Sequence, residues 1–118
     1  MIATQTRTRA GIGFEEAVAR IAAALEPERI ILFGSRARGD SREDSDYDVL
    51  IEMPELTISR FELAAQAHEA ARERTFALDV IVASKPEIAN SLLEEADFVC
   101  YAMEDGVVVY EKQRSNVA

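Results

Sequence analysis

Residues 29–53 read RIILFGSRARGDSREDSDYDVLIEM. The run opens with a short apolar, β-rich segment over 29–33, a candidate buried strand. Gly34 closes that segment, and Ser35 is placed to cap a short helical turn behind it. Residues 39–45, GDSREDS, read as a polar loop. From 47 to 53 the chain alternates, with Tyr47, Val49, Ile51 and Met53 on one face and Asp46, Asp48, Leu50 and Glu52 on the other. Pro54 ends this second strand. Two candidate strands, joined by a short helical turn and a polar loop, make the centre of the reading.

Outward from this centre, Phe14, Val18, Ile21, Ala22 and Leu25 recur at helical spacing, which predicts an amphipathic helix over about 13–25 that Pro27 stops. Ser59 and Glu62 have the spacing of a capping box. They predict a helix to about residue 73, with Phe61, Ala64, Ala65 and His68 along neighbouring faces. Residues 76–82 read as a third strand. Ser84 is placed to cap a helix running to about 96, with Pro86 in its first turn. Residues 98–103 are short and apolar, Asp105-Gly106 is a turn signal, and 107–110 read as a last short strand. The fold class that follows is α+β, with mixed α/β order: a small mixed β-sheet backed by helices on one side. Residues 1–12 read as a flexible arm, 13–111 as the single domain and 112–118 as a frayed tail.

Bulk properties narrow the function classes. The 118 residues suit one domain with one modest core. The formal charge is −9, from 13 basic and 22 acidic residues. A general nucleic-acid binder carries a basic face, so direct binding to DNA or RNA is not expected. Arg36, Arg38 and Arg42 nevertheless lie close together and suit a small anion such as a nucleoside triphosphate. Cys100 is the only cysteine, so no internal disulfide forms. Residues 1–9 are polar without the apolar core of a signal peptide, and no apolar run approaches membrane-spanning length; the expected location is the cytoplasm.

The chemistry concentrates in a few residues. Asp46 and Asp48 are two apart on a strand and share a face. Two adjacent carboxylates repel unless solvent or a cation intervenes, and hard divalent ions such as magnesium take oxygen ligands while leaving positions for substrate phosphates. Alone, Asp-x-Asp also describes a strand mouth facing water. Asp79 sits within the apolar run FALDVIV, where an unpaired buried carboxylate is costly; a solvated sheet edge is the alternative. If its strand lies beside that of Asp46 and Asp48, three carboxylates converge in a set able to hold two metals for displacement at phosphorus. Gly34-Ser35 lies between a strand and a helix start, where glycine admits close approach and amide groups favour anions. Taken alone, that pair is more often a simple turn with an N-cap.

Together these residues resemble a known signature. Gly34-Ser35, ten residues, then Asp46-Tyr47-Asp48 is similar to the motif of the polymerase-β-like nucleotidyltransferase superfamily. The fuller run Gly34-Ser35-Arg36-Ala37-Arg38-Gly39, followed by Ser45-Asp46-Tyr47-Asp48, resembles the minimal nucleotidyltransferase (MNT) branch. The small size, Asp79 in its Leu-Asp-Val context and the closing DGVVVY over 105–110 are similar too. The resemblance spans about residues 14–111 and implies a polymerase-β-like nucleotidyltransferase fold. It implies Asp46 and Asp48 as ligands of one or two Mg2+ ions and Asp79 as the third, catalytic carboxylate. Gly34 and Ser35 would hold the β- and γ-phosphates of ATP, and Arg36 and Arg38 are candidate phosphate contacts. For the two arginines the alternative is an ion pair with Asp40, Glu43 or Asp44.

The resemblance further implies a partner. Minimal members pair with a HEPN-domain RNase toxin, which they neutralise as antitoxins by moving AMP to a toxin tyrosine. A contact-only antitoxin that senses nucleotide, and an enzyme acting on a small-molecule hydroxyl such as that of an antibiotic, are the competing readings. His68, the only histidine, is expected to pack or face solvent. Cys100 is expected to be a buried small hydrophobe, Tyr47 a core residue and Lys85 a solvated first-turn lysine.

Overall fold

Ala17, Val18, Ile21, Ala22 and Leu25 recur every three to four residues along helix α1, Phe14–Leu25, and all five are buried. This apolar stripe is what drives the helix onto the sheet. The computed structural model of the chain describes residues 11–43, 45–93 and 98–113. Helix α1 ends at Glu26, whose backbone is left-handed and whose N–H returns to Ala22 O. Pro27 follows. Strand β1 is Arg29–Phe33, then a single helical turn α2, Ser35–Arg38, and strand β2, Tyr47–Met53. Helix α3, Arg60–Ala70, leads to strand β3, Leu78–Ser84. Helices α4, Lys85–Leu93, and α5, Phe98–Asp105, precede the last strand β4, Val107–Glu111.

The four strands are ordered β3-β2-β1-β4. β1 runs antiparallel to both β2 and β4, whereas β2 and β3 are parallel. A parallel pair needs a crossover, and α3 supplies it. The fold is therefore a small mixed α+β sheet with helices, as the sequence predicts.

The expected one-sided arrangement is corrected. One buried cluster joins α1 and α3 to Ile30, Val49, Ile51, Met53 and Val82. A second joins α4 and α5, through Ile88 and Ala102, to Ile31, Phe33, Leu50 and Ala83. β1 and β2 carry apolar side chains on both faces, so both faces need cover.

Other differences have local causes. α3 buries Leu63 and Ala67, with Ala71 buried at its C-cap, all spaced four apart, and leaves Phe61 83% exposed. All three join the residues of α1 in one buried cluster. Ser59 does cap α3, accepting the Glu62 N–H at 3.0 Å. β3 begins two residues later than predicted, because Phe76 packs against Phe14 and Tyr47 ahead of the ladder. Ser84 and Glu87 form the reciprocal cap of α4, with Ser84 N–H to Glu87 Oε1 at 2.8 Å and Glu87 N–H to Ser84 Oγ at 3.2 Å. Ser35 does not cap α2: Gly34 occupies the cap position without a side-chain bond. Ile12, assigned to the arm by sequence, is buried and bridges to Arg74. Residues 1–10 and 114–118 lie outside the described residues, as do 94–97, where the predicted end of α4 falls.

Candidate active site

The parallel register of β2 and β3 sets Asp48 directly beside Asp79, and the antiparallel register of β1 and β2 sets Phe33 opposite Asp48. Phe33 is the residue before Gly34. One end of the sheet thus gathers the Gly34-Ser35 turn, Asp46 just before β2, Asp48 at its start, and Asp79 at the start of β3. Asp48 is half-buried, and Asp46 and Asp79 are exposed. Asp79 is solvated on an edge strand, the alternative its sequence offered, and also neighbours Asp48.

Burial raises the Asp48 carboxyl above its ordinary value, and a hydrogen bond with Asp79 and the negative charges of Asp79 and Asp46 push it further. The charge of Arg38 pulls the other way. Two carboxyl groups share a hydrogen bond only when one holds a proton. A bound cation does the same work without the proton, so this oxygen-rich pair fits a hard divalent metal. Among the described residues, no group of three or more His, Cys, Asp or Glu side chains is gathered closely enough to enclose a metal ion. The three acids share an end of the sheet without forming a closed cage.

Gly34 has φ 78° and ψ −157°, a region essentially confined to glycine. A Cβ there would overlap Asp48 Oδ2. The missing side chain therefore lets the turn after β1 lie against the carboxylate of β2. Behind it, Ala37 and Arg38 donate their N–H groups to Gly34 O, and Gly39 and Asp40 donate theirs to Ser35 O.

The two arginines of the motif behave differently. Arg38 is exposed, with Nε 3.3 Å from Asp40 Oδ2 and NH1 3.9 Å from Asp105 Oδ2. Arg36 turns to the loop. Its Nε and NH2 donate to Ser45 O at 3.3 and 3.0 Å, and NH2 donates to Glu43 O at 3.0 Å. Its guanidinium carbon lies 4.3 Å from the centre of the Tyr47 ring. Tyr47 in turn stacks on Phe14, with centroids 4.4 Å apart and planes at 16°.

His68, set aside in the sequence, comes closer to the site than its spacing suggested. It is half-buried on α3, with Nδ1 3.4 Å from Arg74 NH2. Burial and the Arg74 charge lower its pKa, while the Asp79 charge raises it. No motif signals this placement, since it arises from α3 packing onto β3. Lys85 is exposed at the other end of β3, in a cleft of about 190 Å³ with Arg29, Glu52 and Lys112. The Cys100 side chain is outside the described residues. Among the described residues no helix is long and apolar enough to cross a membrane.

Comparison with known proteins shows the family and the fold. The family model described as a nucleotidyltransferase domain matches residues 14–112. A crystal structure described as a nucleotidyltransferase from Sulfolobus solfataricus is similar with a TM-score of 0.54 and 24% identity, over 83% of this chain and 77% of that one. A crystal structure of a toxin–antitoxin with AMP-PNP is similar with a TM-score of 0.51 and 22% identity, over 84% of this chain and 74% of that one. At these identities the two structures show a shared fold. No curated protein is a significant match to the chain.

Proposed function

The chain belongs to the nucleotidyltransferase domain family, and from that premise we propose that it moves a nucleoside monophosphate, AMP from ATP, to a hydroxyl of a partner protein. The observation that carries this reading is the register that sets Asp48 beside Asp79, with the Gly34 turn lying against Asp48.

In this proposal Gly34 and Ser35 hold the β- and γ-phosphates, and Arg38 leaves its loose exposed pairs to meet them. Asp46, Asp48 and Asp79 would hold the divalent cation, Mg2+, which when bound would offset the charge of the phosphates. Asp79, exposed on the edge strand, faces the side from which an acceptor can arrive and takes the proton of the attacking hydroxyl. The new bond joins that oxygen to the α-phosphorus. The bond from the α-phosphorus to the bridging oxygen breaks, and pyrophosphate leaves. Backbone amides near Gly34 stabilise the charge that develops.

The partner proposed is a HEPN-type RNase toxin, modified on a tyrosine, with this chain as its antitoxin in the cytoplasm. One observation supports a protein acceptor: a structure of similar fold is a toxin–antitoxin with AMP-PNP. The test is to incubate the purified chain and its partner with α-labelled ATP and Mg2+, with the other nucleotides in parallel. Label on a partner tyrosine is the expected result. No transfer with any nucleotide or divalent metal rejects the reading.

Contact-only neutralisation is the second reading, favoured by the acidic surface of a chain of net charge −9. The double change Asp46→Ala, Asp48→Ala separates the two. If the partner stays neutralised, contact is sufficient.

A further inference from the structure

The structure assigns Arg36 a positioning role: it holds Asp46 from both sides and ties it to the Gly34-Ser35 turn. This inference rests on the nucleotidyl-transfer reading for its catalytic consequence, though not for its geometry.

Asp46 is exposed and precedes β2, so no ladder bond of its own strand fixes it. Its two chain neighbours are both engaged by one group. Arg36 holds the Ser45 carbonyl through Nε and NH2, reaches Glu43 O as well, and lies over the ring of Tyr47. The carbonyl before Asp46 and the ring after it are thus clamped by the same guanidinium. Tyr47 is anchored in turn by stacking on Phe14 and by Phe76 at 4.8 Å and 60°. Nearer the loop, Arg42 N–H donates to Ser45 Oγ at 2.7 Å and Ser45 N–H donates to Arg42 O at 3.0 Å, closing a tight turn.

The other end of this clamp is α2, a single turn whose cap is Gly34. Arg36 therefore sets the spacing between the phosphate-side turn and the first acid. Nε and NH2 point into the loop, so engaging a phosphate with them means releasing Asp46. Only a planar fork can grip a carbonyl and lie flat on a ring at once, which lysine cannot do.

The catalytic consequence is a loss of geometry and not of nucleotide affinity. A misplacement of about 1 Å in a reacting constellation costs roughly 100-fold in rate. An interaction that acts only through such placement lowers kcat and leaves KM nearly unchanged.

The experiment compares the wild-type chain with Arg36→Ala, Arg36→Lys and Arg38→Ala. Mn2+ binding is followed by electron paramagnetic resonance, transfer kinetics are measured with varied nucleotide, and urea melts check folding. We expect Arg36→Ala and Arg36→Lys alike to weaken Mn2+ binding about 10-fold, as loss of a group supporting a ligand does. Their kcat falls by roughly 100-fold with nucleotide KM within about 3-fold, and lysine gives no rescue. Arg38→Ala raises nucleotide KM and leaves Mn2+ binding near wild type. The inference is overturned if Arg36→Ala binds Mn2+ as wild type does, or if its only kinetic effect is a higher nucleotide KM. Full recovery in Arg36→Lys overturns it as well. If the wild type transfers no nucleotide, the functional reading fails separately, and the Mn2+ arm still decides the role of Arg36. Should Arg36→Ala fail to fold, Arg36→Lys and Arg36→Gln carry the same comparison.

Discussion

Replacing Gly34 with alanine tests the geometry on which the site depends. At φ 78° and ψ −157° an L side chain costs about 1–3 kcal/mol from backbone strain alone. The added Cβ also overlaps Asp48 Oδ2. That carboxylate is short and hydrogen-bonded to Asp79, so relief comes from turning it out of the site. A loss near 2 kcal/mol, with a urea slope of about 2 kcal/mol/M, moves the unfolding midpoint down by about 1 M. Transfer activity falls by at least about 100-fold, because Asp48 no longer sits beside Asp79. Gly39 provides the control. It is left-handed at φ 83° and ψ 11°, with nothing within 4 Å of an added Cβ. Gly39→Ala costs about 1 kcal/mol and Gly39→Asn less, since asparagine tolerates that region, and both retain activity. Urea melts and transfer assays on the three variants decide the matter. A Gly34→Ala protein with a wild-type midpoint and wild-type transfer refutes the close-approach argument.

Three further perturbations follow from the same structure. Asp48 is held above its ordinary carboxyl range, so the native state binds that proton more tightly than the unfolded chain, and stability falls as pH rises through the folded value. Asp48→Asn therefore raises the urea midpoint at pH 7, with the gain shrinking toward pH 4, while abolishing transfer; an unchanged or lower midpoint at pH 7 contradicts this. Glu87 is lowered from 4.5 to about 2, first by its hydrogen bond with Arg60 and then by the Ser84 N–H. Its stabilisation is present above pH 4.5 and is lost as pH falls toward 2. Because both side chains are substantially exposed, Glu87→Gln costs only about 0.5–1 kcal/mol at pH 7. That difference from wild type should close between pH 4.5 and 2, and one that persists unchanged at pH 2 counts against the pairing. Glu52 is 3% exposed and its Oε1 lies 2.5 Å from Arg29 Nε. Arg29→Ala strands a buried charge and costs about 3–5 kcal/mol, whereas Arg29→Met with Glu52→Met is near neutral; equal losses in the two melts would contradict a buried pair.

The strands show what local pattern can carry. Alternation over Tyr47–Met53 set that strand's bounds and faces, and the caps at Ser59 and Ser84 are as read. Boundaries slipped where a side chain had a better partner outside the ladder, as Phe76 does in the aromatic cluster. Phe61 was misjudged for one reason. A weakly amphipathic helix does not reveal its buried face until α1 and β3 are packed against it.

For the site, local sequence determined the residue types and their order: a glycine-serine turn after one strand, two acids opening the next, and an acid in a later apolar strand. These are short-range facts, fixed by backbone preference and side-chain period. Tertiary structure alone decided that β2 and β3 are adjacent, parallel and in the register that puts Asp48 beside Asp79. It alone turned Arg36 to the carbonyls of Glu43 and Ser45 and left Arg38 exposed beside Asp40 and Asp105. Those outcomes depend on contacts between residues far apart in the chain, and no window of sequence contains both partners.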